Sequence, residues 1–389
     1  MKIDGKRVDT RAFMLVFLGA LSAFGPFVMD MYLPVLPSMG DWFGCSNARV
    51  QLGLTAGLIG LAAGQLVFGP VSDKYGRRLP LICAMVLFMV STLGCIFSEN
   101  IHQFIAMRLF QGLAGSGGVV LSRSIAADKY RGRELTSMMA VIAAVNGIAT
   151  VAAPIAGGLI AEIGGWRGIF WSLMALSVLL LAGAVKMNEC MIPRPRQDTA
   201  EGFRTVLRNR AYLRFVMLYM FSMGVLFTNI ASAPFIMQEK YGLDSMQFSF
   251  VFGVNAMTFG IASVMIPLFR TRESAIRTGT AGLLFFSAAI AAAFALNAGF
   301  WTYEVLVFML VLMVGIVSTT SNVAAMDSGR DNAGVASALL GAIGYAFGGV
   351  VPALVASGDM LVMTGIMFVL CSVLTALLAF SGLKHADGK

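Results

Sequence analysis

The sequence predicts an all-α membrane protein with twelve transmembrane helices in two six-helix halves, and three observations carry that prediction. Hydrophobic residues make up 58% of the 389 positions and charged residues only 12%, about half the charged share of an ordinary soluble domain. Apolar runs of about 20 residues recur along the chain between short polar stretches; each can cross a bilayer as a helix, the one open-ended structure that satisfies its own backbone in lipid. Of the 28 Lys and Arg residues, only Arg49, Arg167 and Lys240 fall in the outer loops, and only Arg108 stands inside a span away from its cytoplasmic end. The positive-inside bias therefore puts both termini in the cytoplasm. The net charge of +8 reflects this bias and not a nucleic-acid footprint.

The predicted spans cover residues 12–37, 50–70, 79–98, 103–124, 136–161, 168–187, 212–237, 246–268, 278–298, 301–325, 333–356 and 360–382. They divide into an N-terminal half, 1–187, a basic cytoplasmic linker, 188–211, and a C-terminal half, 212–389. The first run is too long for a cleavable signal and carries an acid, so it is expected to stay as a span. The five cysteines show no metal-ligand spacing, and neither a disulfide framework nor a metal is expected.

Residues 1–11 form a basic inner tail that orients the first span. That span holds a single carboxylate, Asp30, within GPFVMDMYLPVLP, residues 25–37. An ionised Asp at membrane depth costs roughly 2.5–3.5 kcal/mol on insertion scales, so it normally faces a partner or a wet cavity and marks a transport or proton path. Pro34 and Pro37 lack N–H groups and favour a bent or frayed exit from the helix.

Between spans 2 and 3 the chain reads GPVSDKYGRRLP, residues 69–80. Gly69 permits close helix approach, Asp73 can cap a turn or pair with Arg, and Arg77 and Arg78 can latch onto neighbouring inner helix ends. A plain basic turn obeying the charge bias is the alternative. Span 4 carries RLFQGLAGSGG, residues 108–118. Arg108 either snorkels to the nearby outer loop or partners Asp30. Asp30 lies seven residues before Pro37 and Arg108 six after His102, which puts both roughly 10 Å below the outer boundary at 1.5 Å per residue. Gly112, Gly115, Gly117 and Gly118 offer a small-residue surface for a neighbouring helix. At the inner end of the span, Asp128 can receive the arginines of the 69–80 turn or belong to a solvated charge cluster.

Span 5 contains NGIATVAAPIAGGLI, residues 146–160, rich in Gly and Pro. Trp166 and Trp171 flank the outer end of span 6 as an interfacial anchor. The linker brings Pro193, Pro195 and the arginines 194, 196, 204, 208 and 210, a charge suited to anionic lipid. The second half echoes the first: RTRESAIR, residues 270–277, sits where the 69–80 turn sits but lacks its Asp-x-x-Gly core. GAIGYAFGGVVPALV, residues 341–355, repeats the Gly and Pro content of span 5. Glu304 falls near the outer end of span 10, which leaves proton chemistry to the first half. Asn229, Ser232, Asn255 and Asn322 offer neutral hydrogen bonds.

The 69–80 turn resembles motif A of the major facilitator superfamily, G-x-x-x-D-x-x-G-R-R, through Gly69, Asp73, Gly76, Arg77 and Arg78. RLFQG resembles motif B, R-x-x-Q-G, whose arginine is implicated in proton exchange. Gly147, Pro154, Gly157 and Gly158 resemble motif C of the antiporter branch, with Ala153 where that motif has the glycine of its Gly-Pro pair. DMYLPVLP, residues 30–37, is similar to the first-helix signature of the Bcr/CflA group of drug/proton antiporters, associated with bicyclomycin, chloramphenicol and sulfonamide export. Some related multidrug antiporters carry a second acid eight residues earlier; that position is Ser22 here.

The resemblance implies the major facilitator fold and a monomer in a bacterial cytoplasmic (inner) membrane. It implies proton-coupled multidrug efflux by alternating access, with a small amphipathic drug-like substrate, protons and lipid as partners and no cofactor. Motion of Asp30 relative to Arg108 would change the proton affinity of the acid and couple the gradient to export. The family's cavity-lining helices place Phe27, Tyr32, Asn146, Phe227, Asn229 and Asn255 as substrate candidates beside many Met, side chains that repack around loosely specified ligands. Packing against core or lipid is the alternative for each. A proton-linked exporter of a sugar or nucleoside shares this architecture, and a membrane receptor or scaffold is a reading of another class. An enzyme would need a His, Cys or paired-acid constellation in the spans, and the sequence offers none.

Overall fold

In lipid, unpaired backbone groups are costly, and the chain meets that constraint with helices alone. The computed structural model describes residues 10–190 and 199–381, and no strand occurs among them. The basic tail at 1–9, the Pro193–Arg196 stretch and the C-terminal lysines 384 and 389 lie outside the described residues. The helices are α1 (Arg11–Asp30), α2 (Leu36–Phe43), α3 (Asn47–Tyr75), α4 (Arg78–Ile96), α5 (Ile101–Lys129), α6 (Gly132–Lys186) and α7 (Thr199–Arg208). They continue with α8 (Arg210–Phe235), α9 (Ser245–Met265), α10 (Arg272–Ala295), α11 (Phe300–Ser328), α12 (Ala333–Val355) and α13 (Met360–Ser381).

Among the described residues, eleven continuous helical stretches are long and apolar enough to cross a membrane. The longest, the 55 residues of α6, is broken at Gly165 (φ 58°, ψ −162°), a backbone conformation that needs glycine. That break turns one stretch into two spans and accounts for the twelve expected. Local chemistry sets the other ends. Thr10, Asn100, Asn209 and Thr271 accept hydrogen bonds from the first-turn N–H groups of α1, α5, α8 and α10, and Asp244 with Gln247 forms a reciprocal capping box at α9.

The chain forms two units, Met1–Tyr32 with Ala56–Arg196, and Leu33–Thr55 with Gln197–Lys389. In the first, α1 packs along α5 and α6, and α4 packs along the same two helices. The crossing of α3 and α5 is closer than ordinary side chains allow. A Cβ at Gly112 would overlap the Gly57 carbonyl oxygen, and one at Gly60 would overlap that of Leu109. Because the obstacle is backbone, rotamer changes cannot relieve it. Gly112→Val is therefore expected to leave little folded protein in the membrane fraction, measured as the monodisperse yield after extraction. A normal yield would show that the helices can separate at small cost.

Trp166 departs from its expected interfacial place. It is 6% exposed and meets Phe104 and Phe170 edge to face at 5.9 and 6.0 Å, while Trp171 is 49% exposed. The break at Gly165 turns the following residue into the core.

In the second unit, α8 packs on α11, α12 and α13, α10 on α11 and α13, and α9 on α11. Thus α11 stands to α8 and α10 as α5 stands to α1 and α4. Part of the stretch read as linker is the helix α7. Its Val206 is buried in a core with Tyr212, Val216, Ala336 and Leu340, so this stretch is packed as well as charged. The Leu33–Thr55 segment is held within the same unit: the Pro34 carbonyl accepts from Gln238 Nε2 (3.0 Å) and Ser245 Oγ (3.2 Å), and Asn47 donates to Glu239 (2.8 Å).

Candidate functional site

Helix α1 ends at Asp30, and a short 3-10 turn, Leu33–Val35, follows. Carbonyls of a last helical turn lack intrahelical partners and carry the negative end of the helix dipole. Here the Val28 carbonyl receives both Nη1 and Nη2 of Arg108, each at 3.2 Å. Arg108 is fully buried, which removes the snorkelling reading. Its Nη1 also donates to Gln111 Oε1 at 2.5 Å, and Gln111 Nε2 donates onward to Thr92 Oγ1 at 2.8 Å. The Tyr32 ring lies 4.3 Å and the Phe170 ring 5.8 Å from the guanidinium carbon, within cation–π range. A helix end and two aromatic faces thus accommodate the charge that the sequence offered to Asp30.

Asp30 is 8% exposed, and among the described residues it has no ion-pair or hydrogen-bond partner. The equal depth inferred for Asp30 and Arg108 does not become a contact. Arg108 spends its paired donors on the backbone of α1 and on Gln111, which fixes the turn on which Asp30 stands. Gly157 holds the other side: a Cβ there would overlap the Met31 carbonyl oxygen, so α6 meets α1 at backbone distance one residue past the acid. Pro154 and Gly158 are buried in the same stretch of α6, whereas Gly147 has open space where a Cβ would stand.

The substrate candidates divide between the units. Phe27 is half-buried. Tyr32 is committed beneath Arg108, although its hydroxyl is enclosed without a partner. Asn146 donates to the Ser22 carbonyl (2.8 Å) and so ties α6 to α1. In the second unit Phe227 is buried against Tyr345. Asn229 Oδ1 and both polar atoms of the Asn255 amide are enclosed with no partner.

The 69–80 turn closes around Arg77, which is 4% exposed. Its Nε donates to Asp128 Oδ2 at 2.7 Å, and Nη1 meets Asp73 Oδ1 and Ser72 Oγ, each at 2.6 Å. Burial works against the charge, but Asp128 and Asp73 more than offset it and hold the Arg77 pKa above its ordinary value. Arg78 reaches the Ala184 and Val185 carbonyls at the end of α6. Gly76 takes φ +87°, while Gly69 has open space around it and makes no close helix approach. The corresponding turn of the second unit keeps the pattern in weaker form, with Arg272 on Asp327 at 2.6 Å and both partners largely exposed.

Two acids gain places that sequence reading did not give them. Glu189, assigned to the linker, accepts from the backbone N–H of Arg77 (2.9 Å) and Arg78 (3.0 Å) and so caps the start of α4. No local signal announces a cap 112 residues away. Glu304 is 9% exposed, with Oε2 enclosed and unpartnered. It lies inside predicted span 10, and that position was the available signal.

Comparison with known proteins gives concordant matches. The sequence profile of the Major Facilitator Superfamily matches residues 15–353. The chain is 33% identical over 386 residues to the uncharacterized MFS-type transporter YdgK of Bacillus subtilis strain 168, covering 96% of each protein. It is 28% identical to a bicyclomycin resistance protein homolog of Haemophilus influenzae, covering 89% of each. Among solved structures, the xylose transporter XylE of E. coli in a partially occluded inward-open conformation superimposes with a TM-score of 0.76 at 17% identity, over 97% of this chain and 99% of that one.

Proposed function

The chain belongs to the Major Facilitator Superfamily and is a multi-pass membrane transport protein, not an enzyme; from that premise we propose that it exports small amphipathic drug-like molecules in exchange for protons. The observation that carries the reading is Asp30, a membrane-depth carboxylate without a counter-charge among the described residues, standing on a helix end that Arg108 and Gly157 hold in place. An acid so placed takes up a proton when exposed to one side and releases it when exposed to the other. Alternating exposure then couples proton entry to export. Relatives named as bicyclomycin, chloramphenicol and multidrug resistance proteins support the substrate class. No cofactor is needed, since the proton gradient drives the cycle, and a monomer suffices.

Purified protein in sealed vesicles with an imposed pH gradient tests the proposal. Chloramphenicol-like and cationic compounds are expected to move against their gradient and to stop when the pH difference is collapsed. Transport that ignores the pH difference would refute proton coupling. A proton-linked exporter of a sugar or nucleoside is the second reading, and the unpaired Asn229 Oδ1 and Asn255 amide suit hydroxylated ligands. The likeness to a xylose transporter carries fold alone at 17% identity.

The proposed setting is the cytoplasmic membrane with both termini inside. Single-cysteine variants check it, because Cys45 and Cys190 fall in loops that this topology puts on opposite sides. Burial pushes the Cys45 thiol up, and burial with the neighbouring Glu189 charge pushes Cys190 to about 11. Thiolate therefore forms only as pH rises, and labelling needs alkaline buffer. A membrane-impermeant maleimide is expected to modify Cys45 on intact cells and Cys190 only after the cells are opened. The reverse pattern would invert the topology.

A further inference from the structure

Glu304 is a second buried acid, near the outer end of a membrane-spanning helix, and the mechanism above does not use it. It lies on α11, which occupies in its unit the place of α5, the helix that buries Arg108 in the other. One carboxylate oxygen is enclosed with no partner. Asn255 of α9, 2% exposed, lies beside the carboxylate, near enough to interact with it but outside regular hydrogen-bond geometry, and both polar atoms of its amide are unpartnered. The neighbouring Tyr303 hydroxyl is unpartnered too, and its ring packs at 5.5 Å on Tyr241 and 5.6 Å on Phe294. Lys240 stands over the Tyr241 and Phe294 rings at 5.8 and 5.9 Å and donates to Asn297 at 3.3 Å. It makes no ion pair with Glu304 among the described residues.

Buried polar groups are nearly always hydrogen-bonded, and a buried charge is nearly always paired. Glu304 Oε2, the Asn255 amide and the Tyr303 hydroxyl therefore each carry enclosed polar atoms outside regular hydrogen-bond geometry in the second unit, which points to a ligand-binding role. The acid supplies negative charge and the amide oxygen an acceptor, and both favour a cation. We propose that Glu304 and Asn255 form a recognition site for the positive charge of a transported organic monocation, in the second unit and separate from Asp30. This inference rests on the reading of the chain as a drug exporter.

Equilibrium binding to the purified full-length protein in detergent tests it, with tetraphenylphosphonium as the cationic probe and chloramphenicol as the uncharged one. Glu304→Gln keeps the shape and removes the charge. It is expected to weaken tetraphenylphosphonium binding at least about 10-fold, or 1.4 kcal/mol, and to leave chloramphenicol binding and Tm near the parental values. Glu304→Asp, which keeps the charge, is expected to restore part of the loss and guards against a packing defect in the Gln variant. Parental affinity for the cation in Glu304→Gln, equal loss in the Gln and Asp variants, or failure of the unmodified protein to bind the cation would each overturn the assignment. Binding needs no gradient, so collapse of the proton-coupling proposal in vesicles would leave this result standing, and the converse also holds.

Discussion

Asp30→Asn is expected to reduce pH-driven uphill export in vesicles to the level of protein-free controls. The amide has nearly the shape of the acid but cannot bind and release a proton across the working pH range. The carboxylate makes no described hydrogen bond or ion pair, so its replacement breaks no contact and the fold has no reason to fail. The variant should therefore insert normally, melt near the parental Tm and bind substrate. Asp30→Glu keeps the titrating group on a longer arm and is expected to retain part of the coupled rate. Correctly inserted Asp30→Asn that still drives export at the normal rate would end the coupling hypothesis.

Arg108→Ala is expected to be the most damaging single change in the first unit, acting on stability and transport together. It removes the side-chain donor of the Val28 carbonyl and leaves Gln111 Oε1 only the weak Cys95 thiol donor in a buried site, at about 1–3 kcal/mol for a buried group left unsatisfied. It also removes the cation between the Tyr32 and Phe170 rings, about 2 kcal/mol when desolvated. The end of α1 then loses its clamp, and Asp30 loses its fixed position. Arg108→Lys is the discriminating variant. Lysine keeps the charge but lacks the planar fork that places two donors on one carbonyl while facing a ring. If charge alone mattered, Lys would restore transport; if the clamp matters, Lys stays near the Ala level in both Tm and coupled flux. Full rescue by Lys would refute the positioning role of Arg108.

The turn at 69–80 shows how far motif reading reaches. Asp73 and Arg77 are four residues apart in sequence, and the left-handed Gly76 between α3 and α4 folds Arg77 back onto Asp73 as an ion pair. Asp128 joins them from the end of the neighbouring α5. Glu189 does not belong to any local pattern and reaches the turn only because α6 ends beside it. Gly69 and Gly147 carry motif positions yet meet nothing, whereas Gly112 and Gly157 are filled by opposing backbone. Glycine content marks where helices could approach; the neighbour decides where they do.

By itself the sequence determined what depends on composition and on near neighbours along the chain. Apolar run length decided that the helices span a membrane, and the distribution of Lys and Arg decided the expected topology; proline did not decide the breaks, since Pro26, Pro70, Pro154, Pro234 and Pro352 stand inside continuous helices. Burial of Asp30 followed from its place in a long apolar run. Tertiary structure alone decided the partners of the buried charges. Depth along a helix is a one-dimensional quantity that the sequence contains, but direction around the helix and the distance to another helix are not. Asp30 and Arg108 therefore shared a depth on paper, while packing turned the arginine onto the Val28 carbonyl and the Tyr32 ring. For the same reason Glu304 reads as the edge of a span in sequence and as an enclosed, unpaired acid in the fold.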